Sequence, residues 1–262
     1  MVGEFQNRTV VVTGGESGIG RATALQFARL GAKVFAGDLE QKADNNIPFG
    51  ELGISRRTCD VRREDDVESL IREAVAATGR LDVMVNNAGV AKIGPITEAS
   101  EADWDFVMGI NLKGVFFGCK HAIRQFQQAD GGVIVNTASN AGILPRAHDP
   151  LYSISKQAVV GLTRSLALCH SRDRVRVNAV CPGPVGDTGM MDETLSAEAD
   201  PEAAYRKYVN ASPLAAAWGR MISPEEVAGA IVYLASDAAA MVTGTCIAID
   251  GGKSLGVPQQ AG

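Results

Sequence analysis

The stretch "DPLYSISKQAVVGLTRSLAL" sets Tyr152 and Lys156 four residues apart. A free phenol is a poor base at neutral pH, because its pKa is about 10. A neighbouring ammonium changes that. A unit cation ~4 Å away, at an effective dielectric of ~20, contributes about 4 kcal/mol, or roughly 3 pKa units. Such a pair could carry a proton to or from a substrate oxygen near pH 7. Residues i and i+4 are neighbours on a helix, so the spacing suits the task. Leu151, Ile154, Ala158, Val159, Leu162 and Leu166 recur at helical period. They predict an apolar face with Tyr152 and Lys156 at its edge. Taken alone, the motif reads equally as a half-buried tyrosine beside a solvated lysine. Ser139 changes the balance, since it ends the strand-like run "GVIVNTAS" just upstream. There it could aim a small donor at the substrate oxygen as charge develops.

A second set of residues suits a dinucleotide. In "VVVTGGESGIGRA", Gly14, Ser17, Gly18, Ile19 and Gly20 lie between a β-branched run and a helical pattern. The N-terminus of a helix exposes unpaired N–H groups and a partial positive charge, which favour a phosphate. Glycines let the backbone approach that phosphate without a Cβ clash. The spacing is GxxxGxG, not the commoner GxGxxG, and such turns also occur without a ligand. Asp38 ends the second strand pattern, 18 residues after Gly20. An acid there can accept hydrogen bonds from ribose hydroxyls and would repel a 2′-phosphate. No Arg or Lys lies within "GGESGIG". These features predict NAD rather than NADP. The plain alternative for Asp38 is a strand-end turn residue. Asp60 and Val61 in "CDV", and Asn86, Asn87 and Gly89 in "NNAG", close two further strand patterns. In an open parallel sheet, ligands sit beyond these carboxyl ends.

The elements that must position these groups follow from periodicity. Seven strand candidates alternate with helical segments: "TVVVTGG", "KVFAGD", "SRRTCDV", "LDVMVNNAG", "GVIVNTAS", "VRVNAVCPG" and "GTCIAIDGG". Most are continuous apolar runs, which predicts strands buried on both faces. The pattern predicts an α/β fold, a doubly wound parallel sheet of seven strands covered by helices. A long helix is expected from about Trp104 to Gln128. No linker or repeat divides residues 1–262, so one domain is expected. Residues 183–218 form a long irregular segment and are expected to be a lid over the site, with Tyr205, Tyr208, Leu214 and Trp218 offering apolar side chains to pack.

Composition narrows the function classes. The net charge is -5 and no Lys/Arg run occurs, which argues against nucleic acid as a partner. No apolar run reaches the ~18 residues needed to span a bilayer. The start, "MVGEFQNRTV", lacks the apolar core of a signal peptide. Cys59, Cys119, Cys169, Cys181 and Cys246 form no CxxC pair. They read as reduced core cysteines of a cytoplasmic protein, with no metal site. His121 and His170 have no ligand-spaced partners.

From Thr13 to Gly252 the chain resembles the short-chain dehydrogenase/reductase family. The resemblance rests on "TGGESGIG", Asp38, "NNAG", Asn111 in "INLKG", Ser139, "YSISK", "VCPGPV" and "TGTCIAIDGG". It implies that a hydride passes between a carbinol carbon and nicotinamide while Tyr152 takes or gives the proton. Lys156 is implied to lower the phenol's pKa and to hold the nicotinamide ribose, Ser139 to orient the substrate oxygen, and Asn111 to belong to a water chain from the lysine to solvent. Asn111 read on its own is equally a helix-interior residue bonding its neighbours. "PGPVGDTGMM" departs from the family pattern, as if Gly186 were inserted. Val185 is still expected to offer backbone groups to the nicotinamide amide, while Thr188 is displaced by one place. The segment holding Asn45, Asn46 and Pro48 is short, so the usual second helix is expected to shrink to a turn or two. Arg146 and His148 are candidates to meet a carboxylate or polar group of the substrate, or else are solvated loop residues. The expected partner is a small alcohol or ketone, and the resemblance implies a homotetramer. Two rival readings share the fold: a silent dinucleotide-binding sensor or scaffold, and a carbonyl reductase using NADPH.

Overall fold

Val10, Val11 and Val12 are fully buried, with Val11 on one face of the sheet and its two neighbours on the other. They belong to β1 (Thr9–Thr13), an interior strand of a wholly parallel sheet. The others are β2 (Lys33–Asp38), β3 (Ser55–Thr58), β4 (Val83–Asn86), β5 (Gly132–Thr137), β6 (Val175–Pro182) and β7 (Cys246–Ile249). Their order is β3-β2-β1-β4-β5-β6-β7. This computed structural model describes residues 3–41, 48–144 and 146–256. All seven expected strands are present. Burial is least continuous at the two edges, where β3 and β7 are partly exposed, as polar or short edge strands are.

Helices cover both faces. On one side α1 (Gly18–Arg29) and α9 (Pro224–Ala235) pack over Val10, Val12, Phe27 and Ile231. On the other, α2 (Glu64–Thr78), α4 (Val115–Phe126) and α5 (Pro150–Cys169) pack over Val11, Leu70, Phe126 and Val177. The expected long helix begins earlier than Trp104. Ser100 and Asp103 form a capping box that starts α3 (Glu101–Met108). A π-helical stretch, Gly109–Gly114, then leads into α4. Such local widenings recur at functional sites, and this one carries Asn111.

Strand order reverses between β1 and β4, so their carboxyl ends diverge into a crevice. This is the ligand position of doubly wound sheets. Between β2 and β3 the described part is a turn at residues 49–53, with Phe49 buried under the Arg56 guanidinium. The expectation that involved Asn45 and Asn46 lies outside the described residues.

The segment 183–218 is not irregular. It folds into α6 (Gly189–Ser196), α7 (Pro201–Asn210) and α8 (Pro213–Trp218). Pro201 and Pro213 stand at helix N1 positions, where a missing N–H costs nothing. The expected packing is also corrected: Leu214 and Trp218 are exposed, while Ala204, Val209 and Ala215 are buried. Trp218 instead lies under the Arg220 guanidinium. Among the described residues no helix is long and apolar enough to cross a membrane.

Candidate active site

The glycine-rich turn wraps tightly because side chains would not fit. A Cβ on Gly20 would overlap the Gly14 carbonyl oxygen and Nδ2 of Asn87. Gly14 itself has φ +65°, and a Cβ there would lie 2.8 Å from Cα of Ala88. Asn87 braces the turn by donating to the Gly14 carbonyl at 3.1 Å and accepting from Thr137 at 3.2 Å. Ser17 stands at the N-cap of α1 without a side-chain capping bond, so the first N–H groups of the helix face the crevice without that partner. Ser17, Gly18 and Ile19 line this crevice together with Asp38, Asp60, Val61 and Gly89. The cleft measures about 450 Å³. The close backbone turn and the uncapped helix start fit a diphosphate.

Asp38 accepts the Glu16 N–H at 3.0 Å and the Leu39 N–H at 2.8 Å, which fixes its carboxylate at the adenosine end. Glu16 went unnoticed in the sequence although it lies inside "GGESGIG". It is buried and takes Arg56 in a bidentate pair at 2.7 and 2.6 Å. Asp60 is clasped by Arg62, at 2.9 and 2.6 Å. That hydrogen-bonded guanidinium draws the carboxyl below its usual range. Asn86 does not reach the cleft. It is buried beneath the sheet ends and donates to Asn136 at 2.9 Å.

The inserted residue is absorbed locally. Val185 pairs with Ile222, Gly186 N–H donates to the Ile222 carbonyl at 2.9 Å, and Asp187 takes a left-handed φ of 52°. Thr188 then caps α6 by accepting the Met191 N–H at 3.2 Å, and its hydroxyl donates to the Val185 carbonyl. Both Val185 and Thr188 line the cleft.

α5 carries Tyr152 and Lys156 inward, beside an apolar stripe in which Leu151 and Val159 are buried and Leu162 and Leu166 pack on the core. Tyr152 is 8% exposed and Lys156 3%. Ser155 and Thr163 share that buried face, while Ile154 is exposed. The Lys156 ammonium donates to the Thr137 carbonyl at 2.9 Å and sits 5.8 Å from the Tyr152 ring centroid. Burial holds this lysine down to about 8, as expected for a cation removed from water. Burial likewise pushes the Tyr152 phenol up, and a hydrogen bond with Ser139 and the charge of Arg146 pull it back. Arg146 supplies the charge, its guanidinium also 5.8 Å from the ring. Two cations, rather than one, flank the phenol.

Ser139 lies just past β5, and its hydroxyl accepts the Ala141 N–H at 3.1 Å. Asn111 is fully buried. It accepts from Val90 N–H at 2.8 Å, and donates to the Val90 carbonyl at 2.9 Å and to Ser155 at 3.0 Å. A Cβ on Gly89 would touch both Nζ of Lys156 and Oδ1 of Asn111, so these two groups border one small space. Arg146 lines the cleft and pairs with buried Asp149 at 3.1 Å. His148 is exposed, does not border the cleft, and is fixed through its carbonyl, which accepts from Gly94. Asp149, Tyr208 and Lys253 border the cleft as well. Tyr208 belongs to the expected lid, whereas no sequence motif marks Asp149 or Lys253.

Among the described residues no group of His, Cys, Asp and Glu could hold a metal. All five cysteines are free. Cys169 is exposed and Cys246 half-buried, so the core reading holds for Cys59, Cys119 and Cys181 alone.

Comparison with known proteins agrees with this geometry. A family model described as enoyl-(acyl carrier protein) reductase matches residues 14–254. The chain is 40% identical over 256 residues to an uncharacterized oxidoreductase of Thermotoga maritima, covering 95% of this chain and 98% of that one. It is 42% identical over 253 residues to the cis-4-hydroxycyclohexanecarboxylate dehydrogenase of Sinomonas cyclohexanicum, covering 95% and 97%. The ligand-free aldohexose dehydrogenase of Thermoplasma acidophilum superposes with a TM-score of 0.89 at 31% identity, over 100% of both chains. The seven-stranded parallel sheet agrees with these matches, and the chain belongs to the short-chain dehydrogenase/reductase family of oxidoreductases, which bind a nicotinamide dinucleotide.

Proposed function

We propose that this protein is an NAD-dependent dehydrogenase that interconverts a secondary alcohol and its ketone, with Tyr152 as general acid/base. The observation that carries the reading is the convergence of Ser139, Tyr152 and Lys156 on one wall of a cleft whose other end is Asp38. When bound, the oxidised dinucleotide supplies the acceptor for the hydride leaving the carbinol carbon, and a positive charge near the phenol. Ser139 holds the substrate oxygen, and Tyr152 takes its proton as the alcohol becomes a ketone. In reverse, Tyr152 returns that proton to the ketone oxygen. Lys156, pinned by the Thr137 carbonyl, keeps a charge beside the phenol and can donate to ribose hydroxyls. Asn111 and Lys156 border a common space, the place for a proton path to solvent. The names of two similar proteins, an aldohexose dehydrogenase and a hydroxycyclohexanecarboxylate dehydrogenase, support a small hydroxylated substrate. Assaying a panel of secondary alcohols with NAD tests the reading. Formation of reduced dinucleotide with none of them refutes it.

Asp38 supports NAD over NADP. Its carboxylate is fixed by two backbone amides, and Arg56 on the adjacent strand is turned onto Glu16. Hydrogen bonds to a charged group contribute about 1.5–3 kcal/mol. Asp38→Ala is therefore expected to reduce the NAD-to-NADP ratio of kcat/KM by about 10- to 100-fold. A wild-type preference for NADP contradicts this assignment.

The same reading includes a homotetramer. Phe116 and Ile154 are exposed, and Phe116 shares an apolar groove with Met108, Leu112 and Leu162. Burying this face against a second copy would remove it from water. Sedimentation at four times the chain mass is expected, with Phe116→Asp giving smaller species. A wild-type monomer contradicts it.

A further inference from the structure

One stretch of the cleft wall holds groups that do not themselves take or give the proton. Arg146 stands there beside the Tyr152 ring. Asp149 orients it, occupying Nη1 at 3.1 Å. Asp149 is itself buried and accepts from Ser153 at 3.3 Å. A guanidinium has five donors in a planar fork, and no other described residue engages those of Arg146. Lys253 lines the same stretch. Hydrogen bonds hold the backbone of its turn. Gly251 and Gly252 take left-handed conformations, and Asp250 accepts the Gly252 and Ser254 N–H groups at 2.9 and 2.8 Å. The Leu214 N–H ties this turn to α8 through the Gly251 carbonyl. Lys253 is half-buried and has no ion-pair partner among the described residues. Arg146 and Lys253 line one cleft; burial and then the like charge of Arg146 disfavour the Lys253 cation, with Asp250 and Asp149 acting in the opposite sense. Tyr208, from α7, adds a half-buried hydroxyl that also feels Arg146. Two cations held together beside a proton carrier carry a mutual repulsion that an anion relieves. The planar fork of Arg146 matches a carboxylate.

We propose that Arg146, Lys253 and Tyr208 form a carboxylate seat, and that the substrate is a hydroxy acid or the matching oxo acid, held by this seat with its carbinol oxygen at Tyr152. The inference rests on the reading of Tyr152 as proton carrier, because that fixes which substrate carbon reacts. Asp149 is a positioning residue, acting through Arg146. The Arg146 guanidinium lies 5.8 Å from the Tyr152 ring centroid, so the carboxylate stands a few bonds from the carbinol carbon.

Binding tests the seat without requiring turnover. Unhydroxylated carboxylates, from butanoate to cyclohexanecarboxylate, are titrated calorimetrically into the full chain with NAD, each against its own amide. At least one carboxylate is expected to bind about 10- to 100-fold tighter than its amide. Arg146→Gln should bring that ratio near one, and Lys253→Met, at a partly exposed turn, should reduce it several-fold. Circular dichroism confirms that each variant is folded. A second arm compares kcat/KM for hydroxy acids with that for their methyl esters. Equal affinity for carboxylate and amide throughout the series, or a preference that survives in both variants, overturns the seat. Turnover of neutral alcohols with no carboxylate preference also overturns it, yet leaves the dehydrogenase reading intact. Tight carboxylate binding with no turnover of any alcohol supports the seat and defeats that reading.

Discussion

Tyr152→Phe is expected to lower kcat/KM for alcohol oxidation by about 10²- to 10⁴-fold, the range for loss of a positioned general acid/base. The change removes one oxygen and leaves a ring of the same shape. Tyr152 is buried on α5, so the ring keeps its packing and the fold is expected to survive. Dinucleotide affinity should change little, because Gly14, Gly18, Gly20 and Asp38 are untouched. The ground for the large effect is that, among the described residues, no histidine lines the cleft to take over the proton. His148 is outside the cleft, and His121 is held by Glu64 at 2.9 Å on another helix pair. Steady-state kinetics with saturating NAD measure the effect. A variant within tenfold of wild type would remove Tyr152 from its role.

Lys156→Met is expected to lower activity near pH 7 by about 100-fold while sparing it at high pH. At the 5.8 Å that separates ammonium and ring centroid, and an effective dielectric of ~20, the attraction is about 3 kcal/mol, or about 2 pKa units. The sign follows from the direction of reaction. Oxidation needs the phenolate, so its rate rises with pH through the phenol's pKa. Reduction needs the phenol and falls over the same range. Removing the cation moves both limbs upward. Burial already holds Lys156 down to about 8, so in the free protein its help fades above that pH. The Michaelis constant for NAD should also rise, since the ammonium would lose its ribose contacts. Loss of rate with no movement of the limb would assign Lys156 to binding alone.

Much of this was legible because it rests on periodicity and on steric exclusion. The β-branched runs around Val10–Val12 can be buried only in a two-sided sheet, and Gly14 and Gly20 cannot be replaced without overlap. Other features are set by tertiary contacts that leave no local pattern. The buried face of α5 includes Tyr152, Ser155, Lys156 and Thr163 beside Leu151 and Val159, while Ile154 is exposed, so a hydrophobic stripe alone gives only part of it. Prolines 201 and 213 look like breakers until they stand at helix starts. Glu16 with Arg56, and Arg146 near Lys253, meet across 40 and 107 positions of sequence. The second cation beside the phenol was thus visible only as a loop residue.

The claim on which the rest depends is that Tyr152 ionises within reach of neutrality once its cationic surroundings are complete. Ultraviolet difference titration of tyrosinate, wild type minus Tyr152→Phe with NAD bound, reads that pKa directly. The account predicts ionisation well below the ordinary value of about 10, moving upward in Lys156→Met. A phenol that stays protonated to pH 10 or beyond with NAD bound would contradict it.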